Sequence, residues 1–243
     1  MKEFPCRLGV DMSGMKGLRC KTCENLTGFT MCVRCTGEYC LTSDNKALQY
    51  CATSHTVYLA YFPGGIIKVG TTSLYRKEER ITEQGAVIGL FIAEGNGKVV
   101  RRIESKIQQE LDYRSRINRS YKMKNIIVDI TENEIISILK NCYTNVLKQL
   151  NNLFGSYFQE GQVYSNFKEF LIIKEYARST NRQLSFEFDI FDSKPDCIEY
   201  SSHSNYTVLT GNLLTVIGSL AIMENNQHTN VYDLTALKGY IVN

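Results

Sequence analysis

The sequence predicts an α+β fold in which a small sheet with flanking helices lies between a cysteine-rich N-terminal segment and a β-rich C-terminal region. Three observations carry this prediction. Strand-like and helix-like patterns alternate between residues 55 and 113, cysteines gather before residue 55, and β-branched and aromatic runs return after residue 184. We therefore divide the chain into residues 1–54, 55–125, 126–183 (mainly helical) and 184–243.

The size and composition of the chain are those of an ordinary globular protein. Its 243 residues suffice for one large domain or two small ones, and 43% of them are hydrophobic. The net charge of +3 neither requires nor excludes a nucleic-acid partner. No apolar run approaches the roughly 20 residues of a membrane span, and the first residues lack the apolar core of a signal peptide. The sequence therefore predicts a cytoplasmic protein without membrane contact, and it leaves the oligomeric state open.

The middle of the chain predicts two strands, a tight turn and a helix. Thr56–Phe62 and Ile66–Thr71 are rich in β-branched and aromatic residues, and Pro63-Gly64-Gly65 separates them. The segment Leu74–Glu83 is rich in arginine and glutamate and predicts a helix. We expect Gly85 to end this helix, because glycine readily adopts the left-handed conformation.

A third strand and a second helix follow. Ala86–Ala93 is apolar and strand-like, and Gly95-Asn96-Gly97 predicts a turn. Lys98–Tyr113 predicts an amphipathic helix, whose apolar residues share one face: Val99, Val100, Ile103, Ile107 and Leu111. The predicted order is therefore strand, strand, helix, strand, helix.

The second half of the chain predicts helices and then short strands. Ile126–Ile130 is strand-like, and Thr131 with Glu134 predicts a capping box that starts a helix to about Leu150. A further helix is predicted over Ser165–Ala177. The candidate strands after it are Leu184–Ile190, Tyr206–Leu209, Leu213–Met223 and Val231–Leu234.

Two CxxC pairs predict a zinc site before the first strand. Cys20 and Cys23 form one pair, Cys32 and Cys35 form the other, and 8 residues separate them. An odd count of 9 cysteines without a secretion signal favours metal binding in a reducing cytosol over disulfides. Four thiolates close the coordination sphere of zinc, so we expect a structural ion. The alternative is a set of unliganded thiols.

Three further residues leave the zinc ligand set open. Cys40 and Cys51 closely follow the second CxxC pair. They either act as alternative ligands, with Cys6 or His55 completing a second site, or pack as ordinary core cysteines.

The order of the central elements resembles the GIY-YIG nuclease fold. Val57-Tyr58-Leu59 stands at the place of the GIY motif, and Lys68-Val69-Gly70 stands at the place of YIG. The strings HTVYLA and KVG-T, an arginine before QGA and a glutamate on the next helix resemble a bacterial family of uncharacterised function more closely. That family joins a cysteine cluster to a GIY-YIG-like core and ends in a β-rich segment. The resemblance therefore implies a small sheet at the centre and a curved sheet or barrel at the C-terminal end.

The resemblance also implies a site. In GIY-YIG nucleases the first motif tyrosine orients the attacking water, an arginine stabilises charge on the phosphate, and a glutamate binds a divalent metal. Tyr58, Arg80 and Glu104 match these three residues, and Arg76, one helical turn before Arg80, is the rival arginine. Magnesium or manganese would be the metal at Glu104.

Two more residues complete the candidate site. Lys68 stands where the second motif tyrosine usually lies, and a lysine there grips an anion or, with a pKa lowered by burial, donates a proton. His55 begins the first strand and is expected near the same sheet edge. Taken one at a time, these residues also fit ordinary packing or helix-surface ion pairs.

Three functions remain open on the sequence alone. The first is a GIY-YIG-like, metal-dependent phosphodiesterase or nucleic-acid-processing protein. The second is an enzyme of the same scaffold that acts on a small charged metabolite such as an amino acid. The third is a nucleic-acid-binding module without catalysis, for which the basic stretch Arg114–Lys124 offers phosphate contacts.

Overall fold

A computed structural model describes residues 31–114, 116–179, 185–186, 198–200, 207–209, 211–225 and 228–234. The α-helices are α1 (Asn45–Ala52), α2 (Lys77–Gln84), α3 (Gly97–Leu111), α4 (Arg119–Lys124), α5 (Glu132–Phe154) and α6 (Phe167–Ser179). The longer strands are β1 (Ser54–Phe62), β2 (Ile66–Ser73), β3 (Ile88–Asn96) and β4 (Phe158–Ser165). The shorter strands are β5 (Ser185–Phe186), β6 (Ile198–Tyr200), β7 (Thr207–Leu209), β8 (Asn212–Ile217), β9 (Leu220–Asn225) and β10 (His228–Asp233).

An antiparallel sheet of four strands holds the centre of the fold, in the order β2-β1-β3-β4. The predicted hairpin between β1 and β2 is confirmed, with Gly64 and Gly65 at φ 80° and 82° in its turn. Sequence patterns do not predict β4, which reads FQEGQVYS and lies at the sheet edge. Its many polar residues hide the apolar alternation that a half-buried strand usually shows.

The two faces of this sheet carry different cores. The larger face packs on α3 and α5, and its buried residues include Val57, Leu59, Val69, Leu90 and Ile103. The smaller face carries a second buried cluster of Tyr58, Ala60, Phe62, Ile81, Ala86 and Phe91. Residues of β1 alternate between these faces, because successive side chains of a strand point to opposite sides.

Local hydrogen bonds explain where the main helices begin and end. The Asn96 side chain accepts a bond from the Val99 amide at 3.0 Å, so β3 passes directly into α3 where a free turn was predicted. The predicted capping box is confirmed: Thr131 and Glu134 bond each other's backbone amides at the start of α5. Gly85 ends α2 at φ 66°, as expected.

Other sequence predictions need correction. The residues from Ile126 to Ile130 form no strand, although Ile126 and Val128 are buried in the core. The apolar side chains of this segment suggest a strand, but they pack into the core from an irregular backbone. The single predicted strand Leu213–Met223 is a hairpin of β8 and β9, in which Gly218 turns the chain at φ 61°.

The described C-terminal strands do not close into a barrel. They form an open sheet in the order β5-β10-β9-β8 and a separate β6-β7 pair. The β8–β9 turn lies against the end of α2, since a Cβ on Gly218 would stand 2.7 Å from the Gly85 nitrogen. Among the residues that the structure describes, no helix combines the length and apolar character needed to cross a membrane.

Candidate functional site

Tyr58 lies at the centre of a polar cluster on the smaller face of the sheet. The register of β1 and β2 pairs Tyr58 with Gly70, and a Cβ on Gly70 would collide with the Tyr58 ring and hydroxyl. Because Gly70 has no side chain, the Tyr58 phenol has the space to lie across β2. Tyr58 is only 1% exposed, and burial raises the pKa of its phenol, against hydrogen bonding from Gln84 and the charge of Arg80. The hydroxyl is consequently protonated at neutral pH.

Gln84 joins Tyr58 to Lys68, although it is not among the residues that the sequence predicts for the site. Its Nε2 donates to Tyr58 Oη at 2.5 Å, and its Oε1 accepts from Lys68 Nζ at 2.5 Å. Its main-chain oxygen accepts from Lys122 Nζ at 2.6 Å. Because Gln84 is the last residue of α2, this oxygen belongs to the carbonyls at a helix end that attract cations. The sequence feature that could have identified Gln84 is its position directly before Gly85, the residue that ends α2.

Lys68 is the most strongly perturbed charged group of the cluster. Burial, together with the charges of Arg80, Lys122 and Arg116, lowers its pKa from 10.5 to about 8. Glu104 acts in the opposite direction but does not compensate. The ammonium therefore predominates at neutral pH, yet it loses its proton only slightly above. Such an excess of positive charge around one carboxylate favours a bound anion.

Glu104 reaches the cluster from α3. Thr71 Oγ1 donates to one carboxylate oxygen at 3.1 Å, and Gln108 Nε2 donates to the other at 3.4 Å. Burial raises the pKa of Glu104, while the Thr71 hydrogen bond and the nearby cations Arg101 and Lys68 oppose that rise. The carboxylate is thus held in a fixed orientation at the edge strand β2, where the charge of Lys68 acts on it.

The two candidate arginines occupy different places. Arg76 Nε lies 3.2 Å from Glu79, and Arg76 Nη2 lies 2.5 Å from Glu83, so its side chain is engaged in ion pairs at the surface. Arg80 makes a longer 3.7 Å contact with Glu83, but its charge acts on Tyr58, Lys68 and Glu104. Of the two, the structure therefore brings Arg80 into the cluster.

The basic stretch that follows α3 lies along β2 and covers one side of the cluster. The Val69 amide donates to the Arg114 carbonyl at 3.1 Å. Ile117 packs on the smaller apolar core, and Lys122 Nζ stands 4.6 Å from the centre of the Phe62 ring. The basic stretch thus forms a wall beside the apolar cluster that contains Tyr58.

His55 lies in a different place from the other candidate residues. It lines a pocket together with Cys32, Cys35, Cys40, Cys51 and Arg101. Its Nδ1 is 2.8 Å from the Thr53 carbonyl oxygen, and its ring packs edge-on against Tyr50. Burial lowers the pKa of His55. The structure therefore groups His55 with the cysteines and not with Tyr58.

The predicted zinc ligands are divided by the limits of the described chain. Cys6, Cys20 and Cys23 lie outside the described residues, so the set of Cys20, Cys23, Cys32 and Cys35 stays a prediction. The described cysteines are free thiols. Over the same residues, no three His, Cys, Asp or Glu side chains stand close enough together to hold a metal ion in their present positions.

Comparisons with known proteins identify a family and no activity. No curated protein and no solved structure matches the chain. Residues 14–242 match the protein family described as "Protein of unknown function (DUF2797)". This match covers nearly the whole chain, so the central sheet, the polar cluster around Tyr58 and the C-terminal strands all lie within it. The chain therefore belongs to the DUF2797 family.

Proposed function

We propose that this chain is a GIY-YIG-like phosphodiesterase that cleaves nucleic acid with the help of a divalent metal. The observation that carries the proposal is the convergence of Lys68, Arg80 and Lys122 on the Tyr58–Gln84 pair, with Glu104 alongside. A buried ammonium such as that of Lys68 is costly unless an anion compensates it. A phosphodiester supplies that anion, and the surrounding groups match the needs of its cleavage.

Each residue of the cluster has a role in this reaction. Arg80 and Lys68 hold the non-bridging phosphate oxygens, and the Tyr58 hydroxyl orients a water molecule for attack on phosphorus. The water oxygen bonds to phosphorus as the bond to the leaving oxygen breaks, and the attacking water releases one proton to the solvent. The Lys68 ammonium donates its proton to that leaving oxygen, which suits a pKa of about 8.

Glu104 is the residue that would hold magnesium or manganese. A single carboxylate fits this role, because magnesium commonly binds one or two carboxylates together with waters and substrate phosphates. The hydrogen bonds from Thr71 and Gln108 fix both carboxylate oxygens before any ion arrives. When bound, the ion would neutralise charge on the phosphate.

The basic wall supports nucleic acid as the substrate class. Arg114, Arg116 and Lys124 are exposed on the stretch beside the cluster. Exposed cations in this position extend the positive field from the buried Lys68 to the surface. They are placed to contact phosphates next to the cleaved one, which predicts binding that weakens as salt rises.

Cleavage assays with matched variants test the proposal. A mixed panel of DNA and RNA with magnesium or manganese should be cleaved by the wild type and by Arg76→Met. Arg80→Met, on the same helix, should lose cleavage by about 10²–10³-fold, as when one charge-stabilising donor is removed. Tyr58→Phe and Glu104→Gln should also lose cleavage. An unchanged rate in Glu104→Gln would remove Glu104 from the metal site and contradict this mechanism.

One observation favours a second candidate, an enzyme that acts on a small charged metabolite. The Tyr58 side chain is 1% exposed, and Ile117 packs over the same apolar cluster. An enclosed cluster suits a small ligand: the cations would face a carboxylate, and Glu104 would face the ammonium of an amino acid.

A thermal-shift screen separates the two candidates. Amino acids and nucleotides should be tested without metal on the wild type and on Lys68→Met. Stabilisation of the wild type alone by an amino acid, together with no cleavage of any nucleic acid, would favour the metabolite enzyme. Cleavage of the panel without stabilisation by amino acids would favour the phosphodiesterase.

A further inference from the structure

We propose that Cys32, Cys35, Cys40 and Cys51 bind one zinc ion, which fastens the segment before β1 to the start of α3. All four thiols line one pocket. Four cysteine thiolates form a complete, closed ligand set for a structural zinc ion.

The first two ligands lie on one turn. The Cys35 amide donates to the Cys32 carbonyl at 3.2 Å, so the CxxC segment closes on itself. The Gly37 amide then donates to Cys35 Sγ at 3.4 Å. This N–H···S hydrogen bond orients the sulfur, as outer-shell hydrogen bonds orient metal ligands.

The other two ligands come from separate pieces of chain. Cys40 is exposed in the loop after the CxxC turn, and Cys51 is half-buried on α1. Cys51 contacts the beginning of α3, where a Cβ on Gly97 would stand 3.0 Å from Cys51 Sγ. One ion held by all four thiols would therefore link the turn, the loop and α1 at the helix that carries Glu104.

Zinc binding by these four thiols requires their side chains to rotate toward one another. In their present positions no three of the described cysteine, histidine or acidic residues are grouped for a metal. Cys35 Sγ and Cys40 Sγ make only weak contacts with carbonyl oxygens, at 3.7 Å to Tyr39 and 3.3 Å to Thr42. Rotation about their Cα–Cβ bonds would therefore give up little, because thiol hydrogen bonds are weak.

Arg101 compensates the charge of such a centre. A zinc ion with four thiolates carries a net negative charge, which is costly when partly buried. Arg101 lines the same pocket, and its Nη1 donates to the Cys32 carbonyl at 2.8 Å.

This ligand set competes with the two CxxC pairs that the sequence predicts, because both sets use Cys32 and Cys35. Zinc content distinguishes them without any activity assay. The full-length chain should be reconstituted with zinc chloride and freed of excess metal. Its zinc content per chain should then be measured by inductively coupled plasma mass spectrometry. Cys40→Ser/Cys51→Ser should lose one zinc per chain relative to wild type. Cys20→Ser/Cys23→Ser should keep that zinc, and Cys142→Ser is the control for loss of an unrelated thiol.

Cobalt substitution supplies a second measurement that does not depend on a half-buried position. The sulfur-to-cobalt charge-transfer band grows with the number of bound thiolates, so the exposed Cys40→Ser alone should weaken it. Three results would overturn the proposal: a wild type that binds no zinc, unchanged zinc content in Cys40→Ser/Cys51→Ser, or equal loss of zinc from both double variants.

Discussion

The two faces of the central sheet are built from alternate residues of the same strands, yet they carry opposite chemistry. On the larger face Val57, Leu59 and Val69 are fully buried among aliphatic side chains of α3 and α5. On the smaller face their neighbours Tyr58 and Lys68 join a hydrogen-bonded polar cluster. One residue along a strand therefore separates a position that stabilises the fold from a position that holds charge.

The difference is also energetic. Burial of the aliphatic face contributes roughly 25 cal/mol per Å² of apolar surface removed from water. Burial of Lys68 has the opposite sign, because it disfavours the ammonium and lowers its pKa to about 8. A group that opposes folding in this way is typical of sites retained for function. The comparison predicts that substitutions on the smaller face change chemistry and those on the larger face change stability.

Replacement of Lys68 should give the largest effect on catalysis. We expect Lys68→Met to lower cleavage by about 10²–10⁴-fold, because it removes both a phosphate contact and the proton donor. The free energy of unfolding should stay level or rise at neutral pH, because a buried ammonium is replaced by an apolar chain of similar length. Urea unfolding beside single-turnover cleavage measures both quantities. A loss of cleavage that is accompanied by a clear fall in the free energy of unfolding would contradict the contrast between the two faces.

A substitution on the larger face should reverse that pattern. Ile103 is fully buried between α3 and the sheet. Ile103→Ala should lower the free energy of unfolding by about 2–5 kcal/mol, through lost burial and the cavity left behind. Cleavage per folded molecule should change little under conditions where the variant is folded. The partly exposed Leu48 on α1 provides a control, since Leu48→Ala removes the same kind of side chain from a 40% exposed position.

The pH dependence should show opposite signs for activity and stability. The proposed mechanism needs the Lys68 ammonium, so kcat/KM should fall as pH rises through about 8, by about tenfold per pH unit. The pKa of Lys68 is lower in the folded state than its ordinary value of 10.5, so the unfolded chain binds more protons between these pH values. The free energy of unfolding of the wild type should therefore rise relative to Lys68→Met over that interval.

Lys68→Arg is the control for the pH prediction. A guanidinium stays charged throughout this range, so any activity that remains should lack the fall above pH 8. A fall of the same position and slope in Lys68→Arg would assign the titration to another group.

The parts of the fold that the sequence predicts well are those with a strong and uninterrupted pattern. β1, β2, α2, β3 and α3 follow from apolar alternation, helical spacing and the glycine that ends α2. β4 could not be predicted in this way, because a polar edge strand lacks the alternation of apolar and polar residues. The strand predicted at Ile126–Ile130 was wrong because apolar side chains can be buried without a regular backbone. These are consequences of tertiary contacts that a local pattern does not contain.

The candidate site divides in a similar way. Tyr58, Lys68, Arg80 and Glu104 come from the resemblance, and the structure places them in one cluster. Gln84 and Lys122 belong to the same cluster but were not foreseen, because their positions depend on a helix end and on the path of the chain after α3. His55 was expected near this cluster and lies with the cysteines, since it enters β1 from the end beside α1.

The boundary between the two faces gives the smallest expected effect and the most specific test. Thr71 lies on β2 and donates at 3.1 Å to Glu104, which comes from the helix of the larger face. This hydrogen bond favours the carboxylate and opposes the rise that burial causes in the pKa of Glu104. Thr71→Val keeps the shape and removes the donor, so the Glu104 pKa should rise further. The loss of cleavage on the acid side should then begin at higher pH, while the rate at neutral pH falls by less than about tenfold.

Thr72→Val is the matched control, because it makes the same change one residue along β2, where the side chain points to the other side of the sheet. If the acid side of the pH profile moves in Thr71→Val alone, Glu104 acts as a carboxylate in the reaction and Thr71 sets its pKa across the edge of the sheet. If it moves in neither variant, the Thr71–Glu104 bond serves only to dock α3 on β2, and the chemistry of the smaller face does not extend to that helix.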